Sequence, residues 1–251
     1  DLIRSRGLGD VYKRQGFSGN TGNSFAPHIH FEYRDNKSVP LNPLTMAFEL
    51  EDQIMPVARE LAVIPLSQNA LVNASPLTQT FPLFRDKSGV YHFPDTISVF
   101  GEFGFAMNVV DKREGTNNVY QFHRAELMVD GNLEFELSYD RIPFNQGKFA
   151  KTMIEYDLKR KNLGEFQKLY RLPEHRKISI HSLDKSGILG LAPGVHSVEI
   201  RIFDAHGNKT IIKGTVAATF PMTLEASEIF RDDKVVTLAL SPKRGGLAIR
   251  N

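Results

Sequence analysis

The residue types best suited to chemistry are concentrated between Gly16 and Pro43, in the run GFSGNTGNSFAPHIHFEYRDNKSVPLNP. Its centre, His28-Ile29-His30-Phe31-Glu32-Tyr33, alternates polar and apolar residues. On an extended chain this places His28, His30 and Glu32 on one face and Ile29, Phe31 and Tyr33 on the other. Two imidazoles at i and i+2 stand about 6.6 Å apart along a strand. Both can then address one metal ion, or one can ligate while the other stands beside the metal-bound water. Spacing alone does not choose between these. A chain with eight His in 251 residues yields a bare His-x-His by chance about once in four cases, so specificity rests on the flanking residues.

Those flanks are the elements that must position the pair. Gly16, Gly19 and Gly22, interleaved with Asn20, Asn23 and Ser24, predict a loop whose backbone can take positive φ and approach a ligand closely. A strand is expected from His28 to Tyr33, with its apolar face packed into a core. Arg34 to Ser38 reads as a turn, and Val39 to Pro43 as an extended exit with proline on its edge.

Gly22-Asn23-Ser24, Pro27-His28-Ile29-His30-Phe31-Glu32 and Pro40-Leu41-Asn42-Pro43 together resemble the end of the catalytic domain of lysostaphin-like (LytM-type) zinc metallopeptidases. That family cuts the peptide cross-links of bacterial cell walls. The similarity spans about residues 16 to 48 and departs from the commonest form at Phe25 and Ala26, where a small polar residue and Gly are more usual. The resemblance implies that His30 is a zinc ligand, that His28 is the catalytic histidine acting on the zinc-bound water or the oxyanion, and that Asn20 and Thr21 line the substrate groove. It implies one zinc ion, peptidoglycan cross-link peptides as substrate, and a cell-envelope location, periplasmic or extracellular. Zinc lowers the pKa of its bound water toward about 7 and polarises the scissile carbonyl, and a neutral imidazole suits proton transfer at that pH.

The family's other ligands, a His-x-x-x-Asp pair, are expected upstream. Only residues 1–15 precede this segment here, and they contain no His. Downstream, His92, His123, His175, His181, His196 and His206 show no His-x-x-x-Asp pattern. A catalytic zinc site takes three protein ligands. The chain as written is therefore expected to be inactive, a fragment that begins mid-domain near Gly16. The opening DLIRSRGLGDVYKRQ has no apolar run and no clear period, and reads as non-native or disordered.

Composition sets wider limits. No window approaches the roughly 18 consecutive apolar residues that a membrane helix needs. With no Cys, neither disulfides nor thiolate zinc sites can form, so any metal must be held by His, Asp or Glu. The formal charge is +2, but Arg4, Arg6, Lys13 and Arg14 against Asp1 and Asp10 account for all of it, and the remainder is neutral. No basic patch with interleaved aromatics supports a nucleic-acid partner.

From Phe48 onward the pattern is short β-like runs between turn signals: Ala62–Leu66, Gln79–Phe84, Gly89–Phe93, Ile97–Val110 broken at Gly101 and Gly104, Tyr120–Val129, Leu133–Tyr139, Val195–Phe203 and Lys209–Ala217. Asp130-Gly131-Asn132 and Asp204–Asn208 predict hairpin turns. Tyr156–Tyr170 carries near-helical spacing and reads as a short helix or an excursion between strands. The fold class expected is mainly β: the tail of an antiparallel β-sheet peptidase domain (16–48), then an Ig-like antiparallel β-sandwich (49–219) opened by a connector at Glu49–Pro56, then the start of a further β unit or a tail (220–251). Within the sandwich, Asp140-Arg141 reads as a surface ion pair, His206 as a solvated turn residue, Lys159-Arg160-Lys161 as a solvated face, and Phe100, Phe103, Phe105, Phe135 and Phe144 as core. Two functions follow: an envelope zinc endopeptidase whose sandwich positions the enzyme, shields its groove or binds an envelope partner, or a non-catalytic envelope binding or regulatory protein with a degenerate peptidase fold.

Overall fold

The computed structural model describes residues 19–20, 25–28, 30–46, 52–173, 178–219, 223–232 and 235–243. The opening fifteen residues, Thr21, Ile29 and most of the Gly/Asn loop lie outside them.

The first described elements are β1 (Tyr33–Arg34), β2 (Pro40–Leu41) and a single helical turn α1 (Pro43–Met46). Asp35 makes the turn between the strands, its Oδ1 accepting from Lys37 N and Val39 N at 2.9 Å each, and Ser38 takes φ 60. The exit expected to stay extended through Pro43 instead turns helical there. Asn42 caps that turn, its Oδ1 accepting from Leu44 N at 3.0 Å, and proline suits the first helical position because its missing N–H has no partner to lose.

The remaining strands are β3 (Val57–Pro65), β4 (Leu71–Val72), β5 (Gln79–Pro82), β6 (Phe84–Arg85), β7 (Tyr91–His92), β8 (Ile97–Phe100), β9 (Phe103–Val110), β10 (Arg124–Val129), β11 (Asn132–Ser138), β12 (Gln167–Lys168), β13 (Gly194–Phe203), β14 (Lys209–Ala218), β15 (Thr223–Asp232) and β16 (Val235–Lys243). Helical turns α2 (Gly147–Ala150) and α3 (Tyr156–Arg160) precede β12. The larger sheet runs β11-β10-β13-β14, and on its far side β14 carries β7 and β8 end to end, with β6 beside β7 and β4 beside β8. The smaller sheet runs β12-β9-β3-β5. Strands β15 and β16 form a separate antiparallel hairpin.

The mainly β class is as expected, but the large sheet is mixed. Strand β14 is antiparallel to β13 and parallel to both β7 and β8. The Asp130-Gly131 turn is as predicted: both residues take positive φ, 49 and 76, the geometry whose twist matches the flanking strands.

The core lies between the sheets. Period-two alternation on β13 buries Val198, Ile200 and Ile202, and β10 and β11 do the same with Ala125, Leu127, Phe135 and Leu137. These meet Leu61 and Val63 of β3 and Phe103, Phe105 and Met107 of β9 in one cluster. Strand β9 is apolar nearly throughout because its other face is covered too. Ala62, Ile64 and Ala106 pack there against Leu158, Phe166 and Tyr170 from the α3–β12 excursion. Of the aromatics read as core, Phe103, Phe105 and Phe135 are buried, whereas Phe100 is half-buried and Phe144 is exposed.

Candidate functional site

The His-x-His segment is more open than its sequence predicts. Regular pairing begins only at Tyr33, and His28 makes an isolated bridge with Gly19. The apolar face expected in a core is in solvent: Phe31 is 52% and Tyr33 43% exposed. No described layer covers these rings.

The polar face keeps the expected alternation. His30 Nε2 lies 2.7 Å from Glu32 Oε1, and Glu32 Oε2 accepts from Arg34 Nε at 2.6 Å. The His30 and Arg34 contacts hold the Glu32 carboxyl below the usual carboxylate range. His28 Nδ1 lies 3.0 Å from Ala26 O. An imidazole that gives one nitrogen to a carboxylate or carbonyl is held in one tautomer, with the other nitrogen directed elsewhere, which is how histidine ligands are oriented. Two of the four residues assigned from the resemblance, His28 and His30, are exposed, each with a ring nitrogen tied to a neighbour in the same segment. Asn20 is exposed nearby in sequence, and Thr21 lies outside the described residues.

Zinc fits this face only in part. Among the described residues, no third His, Asp or Glu donor converges with His28 and His30, and the group that does converge lies elsewhere. The segment is nonetheless docked on the sandwich. Asn42 N donates to Asp140 O at 2.8 Å, Ile142 N to Pro40 O at 3.3 Å, Arg141 Nη2 meets Asp35 Oδ2 at 2.7 Å, and the Arg34 guanidinium lies 5.0 Å from the Phe144 ring centre. Asp140 and Arg141 are therefore not an ion pair with each other. Asp140 takes His123 Nε2 at 2.8 Å, and Arg141 reaches across to the hairpin.

The converging group is Asp52, Asp204 and His206, with one donor atom of each within 4.8 Å of the others. Asp52 comes from the connector, Asp204 and His206 from the β13–β14 turn, and Asp111 from the end of β9 lies against them. His206, read from sequence as a solvated turn residue, has a side chain only 17% exposed. The turn folds back over the connector: Asn208 Nδ2 donates to Asp52 O at 2.9 Å and Thr210 Oγ1 to Pro56 O at 2.5 Å. Burial, and then the charges of Asp204 and Asp52, push the Asp111 carboxyl up to about 7; burial also raises Asp52.

No signal of spacing joins residues 52, 111 and 204, so the sequence could not bring them together. The pairing of His206 with Asp204 in one predicted turn was the local hint available.

No family model, curated protein or solved structure matches this chain.

Proposed function

We propose that residues 16 to 48 are the closing part of a bacterial zinc metalloendopeptidase domain that hydrolyses peptide bonds in peptidoglycan, with His30 as a zinc ligand and His28 as the catalytic histidine. The single observation that supports this reading is that both imidazoles are held, His30 by the Glu32 carboxylate at 2.7 Å and His28 by the Ala26 carbonyl at 3.0 Å. Zinc, when bound in a full ligand set, supplies Lewis acidity and an activated water. The residues at hand hold and orient imidazoles and contribute less than the three ligands that such a site takes. The envelope location and cross-link substrate are part of the same proposal and go with a domain that carries a full ligand set.

The test is release of soluble peptide from isolated sacculi by a gene product extended upstream of Gly16, beside its His28→Ala and His30→Ala variants. Release by the extended protein, lost in both variants, is expected. Full release by His30→Ala, or none by the extended protein with zinc bound, overturns the reading in favour of a non-catalytic envelope binder.

A further inference from the structure

We propose that Asp52, Asp204 and His206 bind one divalent transition-metal ion, with Asp111 beside it, at a site in the β-sandwich separate from the His28/His30 face. This does not rest on the peptidase reading. Three observations carry it.

The first is convergence. Donor atoms of two carboxylates and one imidazole, from the connector and the β13–β14 turn, lie within 4.8 Å of one another. Contraction of under 1 Å brings such a set to the separations found around an ion held at about 2.0 to 2.2 Å.

The second is that the atoms facing this space are the ones left over. Asp52 Oδ2, Asp111 Oδ1 and His206 Nδ1 are buried with no hydrogen-bond partner, and the Asp52 side chain is wholly inaccessible. A buried polar atom without a partner costs about 1 to 3 kcal/mol, and more if charged. Their other atoms are engaged. Asp52 Oδ1 accepts from Ile54 N at 3.1 Å. The Asp204 oxygens accept from His206 N and Asn208 N at 2.8 and 2.9 Å and from Asn208 Nδ2 at 2.7 Å. These contacts fix the carboxylates as an outer shell fixes metal ligands.

The third is charge. Among the described residues, the Arg or Lys cation against Asp52 is Arg113, whose Nε stands 3.6 Å from Asp52 Oδ2 and whose Nη2 donates to His206 Nε2 at 3.3 Å; His206 Nδ1 itself lies 3.6 Å from Asp52 Oδ2. One guanidinium leaves the three carboxylates under-compensated, and at 3.6 Å it makes no hydrogen bond to Asp52. A dication supplies the missing charge. When Nδ1 of His206 ligates, the ring proton sits on Nε2, so the Arg113 contact is given up.

A cavity of about 290 Å³ is lined by Asp111 and by Ala205, the residue between Asp204 and His206. The mixed nitrogen and oxygen donors select a borderline ion such as Zn²⁺ over Ca²⁺ or Mg²⁺, which take oxygen.

The experiment is calorimetric titration of the chelator-stripped 251-residue chain with Zn²⁺, and separately Ca²⁺, with thermal unfolding in parallel. One Zn²⁺ per chain is expected, with a raised midpoint. Asp52→Asn and His206→Gln should each weaken Zn²⁺ at least tenfold, His30→Ala should leave it unchanged, and Ca²⁺ should bind at least tenfold more weakly. His206→Gln changes a partly exposed turn residue and carries the test if Asp52→Asn does not fold. The proposal is overturned if Zn²⁺ neither binds nor raises the midpoint, if binding survives His206→Gln, if it is lost in His30→Ala, or if Ca²⁺ binds as tightly. Loss in His30→Ala alone would favour the peptidase face, so the two readings fail separately.

Discussion

Replacing Gly214 by Ala, the addition of one methyl group, should be among the more damaging changes in the sandwich. Gly214 lies on β14, and a Cβ built there falls 2.0 Å from Cδ2 and 2.1 Å from Cγ of Phe93. The ring therefore lies flat on the glycine. Its retreat is blocked, since Phe93 is 5% exposed, packs on Phe105 at 6.2 Å between ring centres, and is anchored by its N–H to Lys213 O at 3.0 Å. Overpacking of this kind costs about 1 to 3 kcal/mol, and Phe93→Ala alone costs about 3 to 5 kcal/mol. Gly214 does not take a left-handed φ, so its backbone accepts any residue. Once the ring is gone, Gly214→Ala should stabilise the strand by roughly 0.5 to 1 kcal/mol. The sign reversal amounts to a coupling of roughly −1.5 to −4 kcal/mol. Urea unfolding of the four proteins followed by far-UV circular dichroism measures it, the chain having no Trp to follow. Equal effects of Gly214→Ala with and without Phe93 would refute the close approach as the cause.

Gly131→Ala tests the opposite case: its Cβ meets nothing within 4 Å, so the expected loss of about 1 to 2 kcal/mol in unfolding free energy comes from φ 76 alone, and Gly131→Asn should recover much of it. Thr210→Val removes the hydroxyl that donates to Pro56 O and should cost about 1 to 3 kcal/mol by the same assay, because that carbonyl is left buried and unpaired. His196 Nδ1 lies 2.7 Å from Asp130 Oδ2, which raises the imidazole pKa above its ordinary value. Its contribution to stability is thus complete below the unfolded pKa of about 6.5 and is lost as pH rises through the folded value. NMR titration should find the raised pKa in the parent and a smaller upward shift in Asp130→Asn, where the Ala192 O contact at 2.7 Å remains. Arg141→Ala should change stability by no more than about 1 kcal/mol, since the Asp35 pair is half-exposed.

Local signals were read from the sequence with fair success. Asp130-Gly131 demands positive φ whatever surrounds it, and the alternation Val198-x-Ile200-x-Ile202 fixes which face of β13 is buried. Pairing partners were not readable, because the parallel register of Ile97 with Val216 depends on sheet order rather than on either segment. The nearness of His30 and Glu32 followed from period two, while the burial expected of Phe31 and Tyr33 is not seen, since burial needs a neighbouring layer that no local pattern supplies. Asp140 and Arg141 are adjacent in sequence and point to different partners, and the Asp52, Asp111 and Asp204 cluster is assembled from three distant segments. Charge seen along a chain says little about charge in space.

The end-to-end seating of β7 and β8 on β14 also sets a schedule for synthesis. The Thr96 and Thr215 hydroxyls that meet at 2.6 Å are 119 residues apart. At about 5 to 20 residues per second, the ribosome delivers β14 roughly 6 to 24 s after β8 has emerged. For that interval Tyr91, Ile97 and Val99, buried in the finished protein, lack β14, and β7 and β8 have only the two-residue strands β6 and β4 beside them. The small sheet waits as well, since β12 follows β9 by some sixty residues. The larger sheet thus closes late and from its C-terminal side, and β14 is the segment whose arrival joins β13 to β7 and β8.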